Sequence, residues 1–136
     1  MEEKGAYCLV IYLSRNVSIR IGSLGTIKFK PGYYCYVGSA MGGLDKRILR
    51  HLSDKKKLRW HIDWFLQHAK ITDVIRIPSK RRIECLVSKI VRDISDSEIR
   101  GFGCTDCKCS SHLYFFRHDP AGKISKVIKK SLPKNI

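Results

Sequence analysis

Arg47 and His51 stand one helical turn apart, so both can point at the same place. They follow the tyrosine-rich stretch Tyr33-Tyr34-Cys35-Tyr36-Val37-Gly38 and a glycine pair, Gly42-Gly43. Arginine offers a planar fork that matches phosphate oxygens, and glycine lets the backbone turn freely or lie against a ligand. Together these residues make a cradle for a phosphate. The alternative for such charges is a solvated helix face, and that reading suits Arg50. Tyr7 and Tyr36 lie on two strands that could pair. A phenol of lowered pKa can hold or transfer a proton beside a nucleophilic water; otherwise the two rings pack as strand tyrosines do. Glu84 closes the basic run Lys80-Arg81-Arg82-Ile83. A carboxylate there can reach a cleft and hold Mg²⁺ together with substrate oxygens and water, or it can pair with Arg81 or Arg82.

A second constellation is Cys104, Cys107, Cys109 and His112, spaced C-x₂-C-x-C-x₂-H. All four are zinc-ligand types and the first pair has zinc spacing. The usual second pair, a dozen or more residues away, is missing. Two readings stay open: one tightly wrapped Zn²⁺, or reduced cysteines in a glycine-bounded loop. Trp60 and Trp64 share a helical face and pack, and His61 between them is open to a structural or a functional role.

These residues need elements to position them. Residues 6–13 are apolar almost throughout and read as a strand covered on both faces. Ser18–Ile21 and Thr26–Lys30 alternate around Gly22-Ser23-Leu24-Gly25, a hairpin signal over about 17–29. Tyr33–Gly38 forms a further strand. A helix over about 43–53 presents Leu44, Ile48, Leu49 and Leu52 as its apolar stripe. A second helix is expected near 59–69, and a strand over 71–77 ending at Pro78. A third helix over 79–94 has Ser79 as N-cap and Ile83, Leu86, Val87, Ile90, Val91 and Ile94 as core face. His112–Arg117 is a strand. Asp119-Pro120 reads as a cap followed by proline at the first helical position, opening a tail helix with Ile124, Val127, Ile128 and Leu132 inward.

The chain has 136 residues, 27 Lys plus Arg against 12 Asp plus Glu, and a formal charge of +15. That length suits a single domain, and a charge so large attracts polyanions. Nucleic acid is the first candidate partner, ahead of an anionic membrane surface. Lys55, Lys56, Lys57, Arg59, Lys80, Arg81, Arg82, Lys126, Lys129 and Lys130 are placed to contact phosphates without reading sequence. No apolar run approaches the roughly 20 residues of a membrane span, and Met1-Glu2-Glu3-Lys4 is not a basic leader. A cytoplasmic protein is expected.

Gly5-Ala6-Tyr7 and Tyr36-Val37-Gly38 resemble the two signature tripeptides of the GIY-YIG endonucleases. Arg47, His51 and the helical Glu84 follow in that family's order. The longer stretches Pro31–Ala40, Trp60–Asp63, Glu84-Cys85 and Asp106–Leu113 resemble the archaeal DUF123, or Uri-type, branch. The resemblance covers nearly all of residues 5–117. It implies an α/β (α+β) domain with a mainly antiparallel central sheet flanked by helices. It also implies hydrolysis of DNA phosphodiesters with one divalent ion, Mg²⁺ or Mn²⁺, in DNA repair or processing. By position, Tyr7 and Tyr36 would orient or deprotonate the attacking water, Arg47 would stabilise charge on phosphorus, Glu84 would hold the metal and His51 would support the site. The chain departs from the pattern in three places. Ala6 replaces the usual Ile. The tyrosines are 29 residues apart, an excess the inserted hairpin would absorb. The late active-site Asn is absent, since only Asn16 and Asn135 occur; Ser111 or His112 is the candidate substitute. The expected function is a DNA endonuclease, with a non-catalytic nucleic-acid-binding module as the alternative. A protein partner or a homodimer is left open.

Overall fold

The apolar run at residues 6–13 becomes the strand on which the rest of the sheet is built. The computed structural model describes residues 3–104 and 107–132. In chain order the elements are β1 (Gly5–Leu13), β2 (Val17–Arg20), β3 (Thr26–Phe29), β4 (Gly32–Ala40), α1 (Leu44–Leu52), α2 (His61–Phe65), β5 (Lys70–Pro78), α3 (Glu84–Ile94), β6 (Ser97–Glu98), β7 (Leu113–Phe116) and α4 (Ala121–Ser131). Five strands form one antiparallel sheet in the order β5-β1-β4-β7-β6, and β2 with β3 forms a separate hairpin. The mixed α/β class and the inserted hairpin are as expected. The hairpin absorbs the long spacing between the tyrosines, because β1 and β4 still pair directly, with Tyr7 opposite Gly38 and Leu9 opposite Tyr36.

Alternation along the strands splits the core in two. Tyr7, Leu9, Ile11, Leu13, Tyr34 and Tyr36 face α1, α2 and the hairpin. Ala6, Cys8, Val10, Cys35 and Val37 face α3 and α4. Both faces of β1 are therefore covered, which is why its sequence shows no polar alternation. Gly38 allows the Tyr7 ring to lie across β4: a Cβ there would stand 2.3 Å from the phenol's Cζ and Oη.

Five sequence expectations change. On α1, Leu44, Ile48 and His51 are buried while Leu49 and Leu52 are exposed; seating His51 against the sheet turns the apolar stripe outward by one residue. The second helix is only His61–Phe65. Its exit tightens into i→i−3 bonds, from Gln67 N–H to Trp64 O and from His68 N–H to Phe65 O, and β5 follows at once. The third helix starts at Glu84, not at 79. Ser79 Oγ accepts from Arg81 N–H and donates to Arg81 O, a local turn that competes with helix. Leu86 is exposed on that helix and Ser88 is buried in its place. Pro120 is the N-cap of α4 and not its first residue, with Asp119 Oδ1 accepting from Ala121 N–H. Ile124 and Ile128 are buried, and Lys123, Lys126, Lys129 and Lys130 are exposed. Among the described residues no helix is long and apolar enough to cross a membrane.

Candidate active site and adjoining cysteine cluster

β1, β4, α1, α2 and the start of α3 together line a cavity of about 510 Å³. Tyr7, Tyr36, Arg47 and Glu84 all line it, together with Ser39, Arg59, Trp60, His61, Trp64, Arg82, Cys85, Gly103 and Cys107. Four residues drawn from two strands and two helices thus converge on one space. His51 lies behind Tyr7, 2 % exposed, with Nε2 2.6 Å from the Tyr7 hydroxyl. Its Nδ1 has no hydrogen-bond partner among the described residues.

Burial sets the protonation of this group. It raises Tyr7, and Arg47 offsets only part of that, while Glu84 and Asp63 add to it. Burial likewise raises Tyr36, with the Tyr7, Glu84 and Asp63 charges adding and Arg47 opposing. Both tyrosines are therefore phenols at neutral pH, against the expectation that a lowered pKa would let them take a proton from water. Burial depresses His51 from 6.5 to about 4; Asp63 opposes that shift and the cations of Arg50, Arg47 and Lys56 reinforce it. Its imidazole is neutral at pH 7.

That depression has a measurable consequence. Between pH 6.5 and 4 the unfolded chain takes up a proton that folded His51 refuses, so stability is full above the unfolded value and falls as the pH drops toward the folded one. The expected loss between pH 7.5 and pH 5 is about 2 kcal/mol from this residue, read by urea denaturation at the two pH values. His61 is also lowered by burial and adds to the slope. His51→Gln should therefore flatten the profile only in part. A variant profile as steep as the parent's would contradict the assignment.

Trp60 organises the cations. The Arg47 and Arg50 guanidinium carbons lie 4.5 and 4.1 Å from its ring centroid. Arg47 Nη1 also donates to Ser39 O at 3.0 Å. Arg50 is not the solvated side chain expected from sequence. Its two terminal nitrogens donate to Asp63 Oδ1 and Oδ2, each at 3.0 Å, and Asp63 is fully buried. The carboxylate also accepts from Arg59 N–H and Trp60 N–H. Burial alone would raise the Asp63 pKa, but these donors outweigh it and hold the carboxyl below the ordinary value. Sequence reading missed Asp63 and the stacking role of Trp60. The available signal was Asp63 at the third helical position of α2, where a side-chain acceptor turns back to the cap.

The basic residues divide. Arg59 and Arg82 line the cavity. Lys55, Lys57, Lys80 and Arg81 are exposed. Lys56 is committed to the end of α1, its Nζ donating to His51 O and Ser53 O. Lys126, Lys129 and Lys130 sit on α4, which packs on the opposite sheet face, so they do not belong to the cavity. His61 has a structural bond, Nδ1 accepting from Gly103 N–H at 2.9 Å, and also lines the cavity. Ser111 does not stand in for the missing Asn: its Oγ is taken by Ile99 O, Leu113 O and Leu113 N–H. Asn16 lines a separate cavity; Asn135 and Asp106 lie outside the described residues.

The cysteine expectation needs one correction. The side chains that gather are Cys85, Cys107, Cys109 and His112, with ligand atoms all within 4.8 Å of one another. Cys104 is not in that group; its Sγ donates to Phe102 O. Cys85, the second residue of α3, takes its place because α3 begins beside the loop. Spacing along the chain could not show this.

The family model described as domain of unknown function DUF123 matches residues 6–132. The chain belongs to the DUF123 family. No curated protein and no solved structure matches it. The DUF123 match takes in both strands that carry the tyrosines, the Arg47–His51 helix, Glu84 and the whole cysteine cluster.

Proposed function

We propose that this DUF123 chain is a divalent-metal-dependent endonuclease of the GIY-YIG type, of the Uri-like branch, that hydrolyses DNA phosphodiesters. The observation that carries the reading is the convergence of Tyr7, Tyr36, Arg47 and Glu84 on one cavity bordered by Arg59 and Arg82 in a chain of charge +15. The donor chemistry suits Mg²⁺ or Mn²⁺, since Glu84 brings a hard carboxylate to the cavity and such ions complete their shell with phosphate oxygens and water. When bound, the ion would polarise the phosphate and assist the leaving oxygen.

The chain's own residues do the rest. Arg47, held against Trp60 and Ser39 O, presents donors to the phosphate oxygens. The Tyr7 hydroxyl donates to neutral His51 Nε2 and accepts a hydrogen bond from the attacking water. As the water oxygen bonds to phosphorus and the bond from phosphorus to the leaving oxygen breaks, the water's proton passes to the Tyr7 oxygen and the phenol's own proton passes to His51, while the leaving oxygen takes its proton from solvent. Negative charge arriving with the phosphate favours the imidazolium that forms. Tyr36, whose ring centroid is 6.4 Å from that of Tyr7, limits where the water can sit. This relay uses the phenol as a phenol, which fits its raised pKa better than a free tyrosinate would.

The non-catalytic binding reading draws on the same raised tyrosine pKa values. Incubation with branched, flapped, nicked and plain DNA in Mg²⁺ or Mn²⁺ separates the two. The endonuclease reading expects new 5′ or 3′ ends on at least one substrate. Salt-sensitive binding with every substrate left intact would favour the binding module.

A further inference from the structure

Cys85, Cys107, Cys109 and His112 come from two elements that are far apart in sequence. We infer that these four side chains form a zinc centre that fastens the first turn of α3 to the strand beside Tyr36. Their ligand atoms all lie within 4.8 Å of one another, and Cys107 Sγ is 3.1 Å from His112 Nε2. Tetrahedral zinc, with Zn–S near 2.3 Å and Zn–N near 2.0–2.1 Å, requires ligand-to-ligand edges of roughly 3.5–3.8 Å. The cluster brackets that range, and closing on an ion asks for movements of about an ångström at side-chain tips. Three soft sulfurs and one imidazole select zinc over Mg²⁺ or Mn²⁺, which prefer oxygen. The Cys₃His set fills all four positions, the mark of a structural centre and not of a hydrolytic one.

The placement gives the centre a purpose. Cys85 adjoins Glu84 at the start of α3. His112 adjoins β7, and its carbonyl accepts from Val37 N–H at 2.9 Å, next to Tyr36. Cys85 and Cys107 also line the cavity. Further along α3, Ser88 Oγ donates to Ser111 O at 3.0 Å, and an ion at this point adds a second tie at the helix's first turn, joining the helix that carries Glu84 to the strand that carries Tyr36. The total of +2 from zinc and −3 from three thiolates leaves −1, beside a cavity that Arg82 also lines.

The test needs no DNA, so it stands apart from the endonuclease reading. Protein purified without added metal is assayed for zinc, and the Co²⁺-substituted protein is examined for thiolate-to-metal charge-transfer absorption. About one zinc per chain is expected, with the tetrahedral cobalt spectrum. Cys85→Ser should lose at least tenfold in zinc affinity, while Cys104→Ser should keep the parent's. Chelation should lower the parent's Tm by more than about 5 °C, a readout that does not depend on any variant folding. Zinc and cobalt binding both absent from the parent would overturn the proposal. So would equal losses in Cys85→Ser and Cys104→Ser, or a Cys85 disulfide in the freshly purified protein.

Discussion

Arg47→Ala is expected to lower DNA cleavage by roughly a hundred- to a thousand-fold while leaving DNA binding within about threefold. The reason is geometric. Arg47 donates to Ser39 O at 3.0 Å and lies over the Trp60 ring, so its guanidinium is fixed before any phosphate arrives. A donor already in place stabilises charge that develops in the transition state without reorganising. Under the proposed function, attraction to DNA would be spread across the chain's many cations and should hardly notice one fewer. Arg47→Lys keeps the charge but loses the fork and the stacking, and should recover only a small part of the rate. Single-turnover cleavage with parallel binding curves would decide the matter. A variant cleaving within twofold of the parent would remove Arg47 from the chemistry.

Asp63→Ala should cost about 3 kcal/mol in stability, because it removes the carboxylate partner of a guanidinium that is only a quarter exposed and leaves two backbone N–H donors without their acceptor. Asp63 accepts two bonds from Arg50 and two from backbone N–H groups, so the loss also frees the entry to α2. The double variant Asp63→Ala, Arg50→Ala should be less destabilised than the single Asp63 variant, since no unpaired cation remains. Urea unfolding at pH 7 measures both. The acid side adds a check. Asp63's pKa is depressed on folding, so its contribution is present above its ordinary value of 3.8 and is lost as the pH falls through the lower folded value. That window lies below the one assigned to His51. If the double variant proves less stable than the single, or Asp63→Ala costs under about 1 kcal/mol, the buried pair is not what holds α2 in place.

Much of the framework could be read from residue pattern. The apolar run of β1, the alternating hairpin and the tyrosine strand have the periods of the elements they form. The site was legible only as candidates, because Tyr7, Tyr36, Arg47 and Glu84 owe their meeting to strand pairing and to where α3 starts. Periodicity failed where side-chain hydrogen bonds competed with it. Ser79 looks like a cap and makes a closed turn instead. Leu49 fits the stripe of α1, yet His51 takes the inner place because Tyr7 offers it a partner. Arg50 reads as solvated because its acceptor, Asp63, is thirteen positions away. Cys104 and Cys85 exchanged roles for the same reason: ligand spacing along a loop carries no information about a helix that folds against it.

The central claim is that one cavity joins a water-orienting tyrosine, a phosphate-binding arginine and a metal-holding carboxylate. Glu84→Gln tests it most directly, since the amide keeps the size of the side chain and removes its charge. Cleavage of the best DNA substrate is measured against Mg²⁺ and Mn²⁺ concentration, beside DNA binding without metal. The account predicts loss of cleavage by at least about a hundredfold at every metal concentration, with binding unchanged or tighter. Cleavage by Glu84→Gln at the parent's rate and with the parent's metal dependence would contradict it.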